Sequence, residues 1–308
     1  MKKYFAIAFV RPFIRREIPG WGKLYAAFVG DYVNDDMWAS TTPVILRDKR
    51  YNMIRILDLR KWSDRIFYFL DRWYDLPTQL VAEAFVKKGN HVLDVGANYG
   101  HFALSAASIV GETGRVDAFE PNPVVYSRLV QHISLNDLSH VTPHNLGAAD
   151  QEMTLELNVP RVNSGEGTFG KSEYEDKDVI SCQVRRLDDV MRGSRIDFIK
   201  IDVEGFEVNA LKGAQEIIEQ QRPIILTEIV NSHLENAGSS TTELHQFFRK
   251  ADYVPFGVSQ RRAGLAHVLS LSRVDDGGFK DPNDYLWFPV SRTNEAESYL
   301  SSHSKIPK

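Results

Sequence analysis

The run His91-Val92-Leu93-Asp94-Val95-Gly96-Ala97-Asn98-Tyr99-Gly100 constrains the fold more than any other part of the chain. His91 to Val95 reads as a buried strand, and the apolar spacing from Tyr99 to Val110 reads as a helix. A strand that enters a helix through a glycine turn opens a parallel sheet flanked by helices. Glycines at 96 and 100 let the backbone bend sharply and approach a ligand, with the free N–H groups of the helix N-terminus behind them.

The same texture continues downstream. Strands are expected at Arg115 to Glu120, Val141 to Leu146, Asp197 to Ile201 and Pro223 to Ile229, with helices at Pro123 to Leu135 and Phe206 to Ile218. The alternating stretches Met153 to Val159 and Val179 to Val184 flank the glycine-bearing segment Asn163 to Lys171. That pattern predicts an inserted β-hairpin whose loop is a candidate for closing over substrate. Asp252 to Val258 and Tyr285 to Phe288 are expected to close the sheet. Residues 1–80, with Trp62, Phe67, Tyr68, Phe69 and Trp73 close together, predict a packed N-terminal cap. Residues 81–290 then form the ligand-binding domain, and 291–308 a polar tail expected to fray. The expected architecture is α/β and Rossmann-like, with a mostly parallel seven-stranded sheet.

Charge and cysteine usage exclude some partners. With 37 Lys+Arg against 41 Asp+Glu the chain has no overall cationic field, which disfavours nucleic acid. The one cysteine, Cys182, makes neither an internal disulfide nor a Cys-based zinc site; a cytoplasmic location is the default. Tyr4 to Val10 follows Lys2 and Lys3 in the charge order of a secretory signal but stops at Arg11, too short to span a bilayer. A first strand or a docked segment is expected there, with weak membrane association through Arg15 and Arg16 as the alternative.

The turn also narrows the ligand. Asn98 stands at the middle glycine of Gly-x-Gly-x-x-Gly counted from Gly96, so the pyrophosphate fingerprint is incomplete. Glu120 ends the second strand twenty residues past Gly100, where an acid accepts hydrogen bonds from both hydroxyls of a ribose. Asp94 adds a carboxylate suited to a cationic amino-acid end. S-adenosylmethionine combines that end with a ribose and no phosphate, and transfer of its methyl asks mainly for alignment and exclusion of water. An NAD-dependent oxidoreductase or epimerase shares the turn and the strand-end acid and is the alternative. A non-catalytic carbohydrate-binding protein on the same fold is the third reading.

Phe198-Ile-Lys-Ile-Asp-Val-Glu-Gly205 is the second informative segment. An apolar strand ending in Asp202 and Glu204 presents two carboxylates at the sheet edge where such folds bind ligands, as a general base or as a cap for the helix that follows. Glu228, ending the fifth strand, orients Lys200 or a substrate hydroxyl; with Asp202 it also offers oxygen ligands, so a divalent metal is left open without being assigned. His233 is a candidate base, and His101 lies at a helix N-terminus near the cofactor, where the dipole disfavours its protonated form; each is also read as an ordinary surface or packing histidine. Trp73 and Tyr74 either pack in the core or stack on a sugar ring.

Taken in order, Asp94-Val-Gly-Ala-Asn-x-Gly100, Phe119-Glu-Pro-Asn122, Ala148-Ala-Asp150, Arg186-Leu-Asp-Asp189 and Ile199 to Gly205 resemble the FkbM family of S-adenosylmethionine-dependent methyltransferases. The resemblance runs from about Arg47 to Phe288. It implies a class I methyltransferase fold and O-methylation of a hydroxyl on a sugar, a glycan or a secondary metabolite. It further implies that Asp94, Gly96, Asn98 and Gly100, with Ala97 and Tyr99, surround the methionine end. Glu120 and Pro121 would lie at the ribose, and Ala148 and Asp150 at the adenine. Asp202, Glu204 and His233 become the candidate catalytic residues.

Overall fold

The computed structural model describes residues 2–161, 167–172, 174–264, 266–274, 278–281 and 283–303. A small antiparallel pair, β1 (Val44–Arg47) and β2 (Ile54–Leu57), precedes the main unit. There follow β3 (His91–Val95), β4 (Arg115–Phe119), β5 (Val141–His144), β6 (Gly147–Ala148), β7 (Met153–Pro160), β8 (Lys177–Arg185) and β9 (Phe198–Ile201). The last four are β10 (Ile224–Ile229), β11 (Tyr253–Ala263), β12 (Ala266–Arg273) and β13 (Asn283–Pro289). Helices alternate with β3, β4 and β9, as the apolar spacing requires.

The main sheet has the order β12-β11-β13-β10-β9-β3-β4-β5. Five neighbouring strands, β10, β9, β3, β4 and β5, run parallel, and β13, β11 and β12 add antiparallel edges. Every residue of β9 is buried, the signature of a strand covered on both faces. From β3 the chain works outward through β4 to β5, then returns to build β9 and β10 on the other side. The gap between the β3 and β9 tips is therefore a topological switch point, where ligands of open α/β sheets bind.

Among the described residues the sheet has eight strands rather than the seven expected. β11 runs on past Val258 to Ala263, turns at Gly264 (φ +65°) and folds back as β12. This edge hairpin buries few side chains beyond Val258, Leu269 and Leu271, so its apolar signal in sequence is faint. The inserted hairpin is present as β7 and β8, joined by β6 in a separate three-stranded sheet. Positions 163–166 of its expected closing loop lie outside the described residues.

Three other expectations change. The single helix from Phe206 to Ile218 is two, Glu207–Gly213 and Gln215–Gln221. Gly213 ends the first of them, backed so closely onto the Ala149 carbonyl that a Cβ there would lie 2.0 Å away. The N-terminal apolar run is helical rather than a strand, with Ala6, Val10 and Ile14 turned into the core at four-residue spacing. The polar tail forms a helix, Thr293–His303, because Ala296 is buried and Tyr299 packs on Phe85. Among the described residues no helix is long and apolar enough to cross a membrane.

Candidate active site

A cavity of about 440 Å³ opens at the C-terminal tips of β3, β4, β9 and β10, of a size that encloses a small organic ligand. Its floor is the glycine turn. Gly96 has φ +79°, and a Cβ there would sit 1.8 Å from the Asp202 backbone oxygen, so only glycine lets the two strand ends meet. Asn98 (φ +50°) and Glu204 (φ +51°) both line the cavity in left-handed backbone, a conformation that ordinary side chains adopt at a cost of about 1–2 kcal/mol. The Glu204 turn is pinned from two sides. Thr168 Oγ1 donates to the Glu204 carbonyl at 2.7 Å, and Gly205 abuts the His233 carbonyl.

Glu120 is only 7% exposed yet faces the cavity. Each of its carboxylate oxygens accepts one backbone N–H, from Asn98 at 2.9 Å and from Asn122 at 2.8 Å. A carboxylate oxygen accepts two hydrogen bonds, so one position on each oxygen is left for a diol. Burial pushes the group up to about 7 in spite of the two N–H donors.

Lys200, not singled out by its sequence pattern as a site residue, is 4% exposed and lines the same cavity. It stands beside Asp94 in the β3–β9 register. Its ammonium lies 3.1 Å from Asp202 Oδ2 and 3.5 Å from Asp94 Oδ1, and donates to the Gly96 carbonyl at 3.3 Å. Burial opposes the charge, but Asp202 and Asp94 outweigh it and hold the ammonium above its ordinary pKa. Lys200 is thus a fixed cation, not a base. The signal for it was a lysine inside an otherwise apolar strand, which must find a partner.

At the opposite end Asp75, Asp202, Glu204, Glu228 and Asp284 all line the cavity. Asp202, Glu204 and Glu228 bring one carboxylate oxygen each within 4.8 Å of one another. Asp202, then burial, raise Glu228 to about 10; burial, then neighbouring acids, raise Asp284. Trp62, Trp73 and Tyr74 form the remaining wall, with Tyr74 5.2 Å from Trp62 and 5.6 Å from Trp73 between ring centroids. Glu204 Oε2 lies 2.9 Å from His233 Nδ1.

The expected site residues divide into two groups. Gly96, Ala97, Asn98, Tyr99, Glu120, Pro121, Ala148, Asp202 and Glu204 line the cavity together. Asp94 is fully buried beneath the turn, Gly100 packs against Leu129, Asp150 is exposed, and His233 stands behind Glu204; none of these four is among the lining residues. His101 does line it, but burial lowers its pKa and it is held by Asp64 at 3.5 Å and stacked on Phe67.

The family model of the methyltransferase FkbM domain matches residues 94–255, more than half of the chain. The chain belongs to the FkbM methyltransferase family. Methyltransferase sdnD of Sordaria araneosa is 26% identical over 247 residues, 67% of this chain and 92% of that protein. Methyltransferase 1 of Beauveria bassiana is 24% identical over 169 residues, 48% of this chain and 65% of its own length. Among solved structures, methyltransferase FkbM from Methylobacillus flagellatus has a TM-score of 0.42 at 17% identity, covering 87% of this chain and 60% of that one. The family match makes the present chain a methyltransferase whose cofactor is S-adenosylmethionine, which sets aside the nicotinamide reading. The cavity suits that cofactor: a buried carboxylate with room for a diol, a turn whose first position, Gly96, admits only glycine, and, among the described residues, no cluster of basic residues for phosphate.

Proposed function

We propose that the enzyme methylates a hydroxyl oxygen on a sugar, a glycan or a secondary metabolite. The contact between Glu204 and His233 beside Asp202, at the aromatic end of the cavity, carries this reading. S-adenosylmethionine, when bound, supplies a methyl group on a positively charged sulfur. In this reading Glu120 takes the ribose hydroxyls and Gly96, Ala97, Asn98 and Tyr99 receive the amino-acid end. Asp94 and Gly100 act from behind, as the braces that hold the turn. Pro121 stays beside the ribose and Ala148 borders the base, with Asp150 outside that border. Trp62 and Tyr74 present flat apolar faces to a sugar ring or a fused-ring metabolite.

A hydroxyl set against Asp202 and Glu204 gives up its proton to a carboxylate as its oxygen becomes the nucleophile. Glu204 is the better placed of the two, since His233 can take the proton onward, while the Lys200 ammonium holds Asp202 in place. His233 enters the scheme through Glu204 and not by touching the acceptor.

The test is transfer from labelled cofactor to a panel of sugars, glycans and hydroxylated metabolites, with Glu204→Gln, Asp202→Asn and His233→Gln beside the wild type. Loss of Glu204 is expected to lower kcat by about 10²–10⁴, with affinity for S-adenosylhomocysteine within twofold of wild type. Methyl recovered on nitrogen alone, or unchanged turnover in all three variants, would defeat the proposal. Bound cofactor with no transfer to any acceptor would favour the carbohydrate-binding reading instead.

A further inference from the structure

The N-terminal segment has an apolar outer face as well as an apolar inner one. Ala6, Val10 and Ile14 are buried on the inner side, while Tyr4, Phe5 and Phe9 are 66%, 47% and 71% exposed. A surface helix of a globular protein turns polar residues outward; one that is apolar all round belongs between two non-aqueous surroundings. The outer rings form a ledge, with Phe5 5.2 Å from Phe9 and 5.5 Å from Phe28.

Charge decides what covers this ledge. Residues 1–30 hold six basic residues, Lys2, Lys3, Arg11, Arg15, Arg16 and Lys23, against the single acid Glu17, in a chain whose total is −4. Lys3 is buried against Ser40, and the exposed cations Arg16 and Lys23 would meet like charge in a second copy, which disfavours that occupant. Exposed aromatics set in a basic segment are what an anionic bilayer surface attracts: rings enter the headgroup boundary while lysine and arginine meet the lipid phosphates. Arg16 and Lys23 are exposed and suited to the headgroups. Arg11 and Arg15 face inward instead. Arg11 Nε donates to the Tyr68 carbonyl at 2.8 Å, and Arg15 pairs with Asp71.

We propose that Tyr4, Phe5 and Phe9, with Arg16 and Lys23, dock the enzyme on an anionic membrane surface without crossing it. The helix Trp62–Leu70 links this surface to the cavity, because Tyr68 and Asp71 hold the N-terminal segment while Trp62, Ser63, Trp73 and Tyr74 line the site.

Co-sedimentation of the full chain with phosphatidylglycerol–phosphatidylcholine vesicles and with pure phosphatidylcholine vesicles tests this. Wild type is expected to bind the anionic vesicles, more weakly as salt rises, and to bind the neutral ones far less. Arg16→Gln and Lys23→Gln are each expected to weaken binding about fivefold. The triple variant Tyr4→Ser/Phe5→Ser/Phe9→Ser is expected to lose it, with unchanged affinity for S-adenosylhomocysteine as proof of folding. No binding by wild type, or equal binding by the triple variant, overturns the proposal. So does self-association that the triple variant abolishes without any vesicle binding, or capture by heparin with no response to the aromatic changes.

Discussion

Glu120 gives the most searching test of the cofactor geometry. Its two oxygens already accept N–H groups from Asn98 and Asn122, and its ordinary pKa is raised by burial to about 7. The ribose-binding form is the carboxylate. In the ligand-free protein about a tenth of Glu120 is ionised at pH 6 and about nine-tenths at pH 8, and apparent affinity is reduced by the fraction that is competent. Affinity for S-adenosylhomocysteine is therefore expected to rise about tenfold from pH 6 to pH 8. Glu120→Gln keeps the shape and one acceptor oxygen but loses a charge-assisted hydrogen bond, at about 2 kcal/mol, or about thirtyfold in Kd. It also removes the titration, so its affinity should be nearly level with pH. Isothermal titration at pH 6, 7 and 8 measures both effects. A wild type whose affinity is level with pH, or a variant that binds as tightly as wild type, would refute the assignment.

Two further expectations concern the site's neighbours. Gly96→Ala should cost about 3 kcal/mol or more in denaturant unfolding, because its Cβ meets the Asp202 backbone oxygen, whereas Gly193→Ala, at the same φ of +79° with nothing within 4 Å, should cost about 1–2 kcal/mol; equal losses would contradict the close approach. Glu228, raised from 4.5 to about 10, keeps its proton in the fold, so its stabilising contribution is whole below about pH 4.5 and is lost as pH climbs toward 10. Unfolding free energies at pH 6, 7.5 and 9 should fall for wild type, by at most about 1.4 kcal/mol per pH unit from this group, and fall less steeply for Glu228→Gln; parallel slopes would refute the protonated state. Asp202 already faces the Lys200 ammonium at 3.1 Å and Glu204 faces His233 at 2.9 Å, so treatment with EDTA is expected to leave turnover unchanged. A loss restored by Mg²⁺ would assign the three carboxylates to a metal.

The sequence by itself determined whatever depends on neighbours along the chain. The strand, glycine turn and helix from His91 to Val110 are local, and so is the placement of Glu120, Asp202 and Glu204 at strand ends, where alternation stops and a turn begins. Tertiary structure decided what depends on register and on which distant segments meet. Asp94 and Lys200 face one another only because β3 and β9 pair in parallel, so the buried cation beneath the turn is invisible in either segment alone. Asp75 and Asp284 reach one cavity across more than two hundred residues, and no periodicity records that meeting. The eighth strand was faint for a related reason, since an edge hairpin buries little and leaves a weak apolar pattern. His233 shows the same limit at the scale of one side chain. Its spacing from Glu228 suggested the pocket, but the turn at Gly205 and the contact with Glu204 set it one layer back. Local steric and hydrophobic pattern fixes where a side chain leaves the backbone; only packing fixes what it then touches.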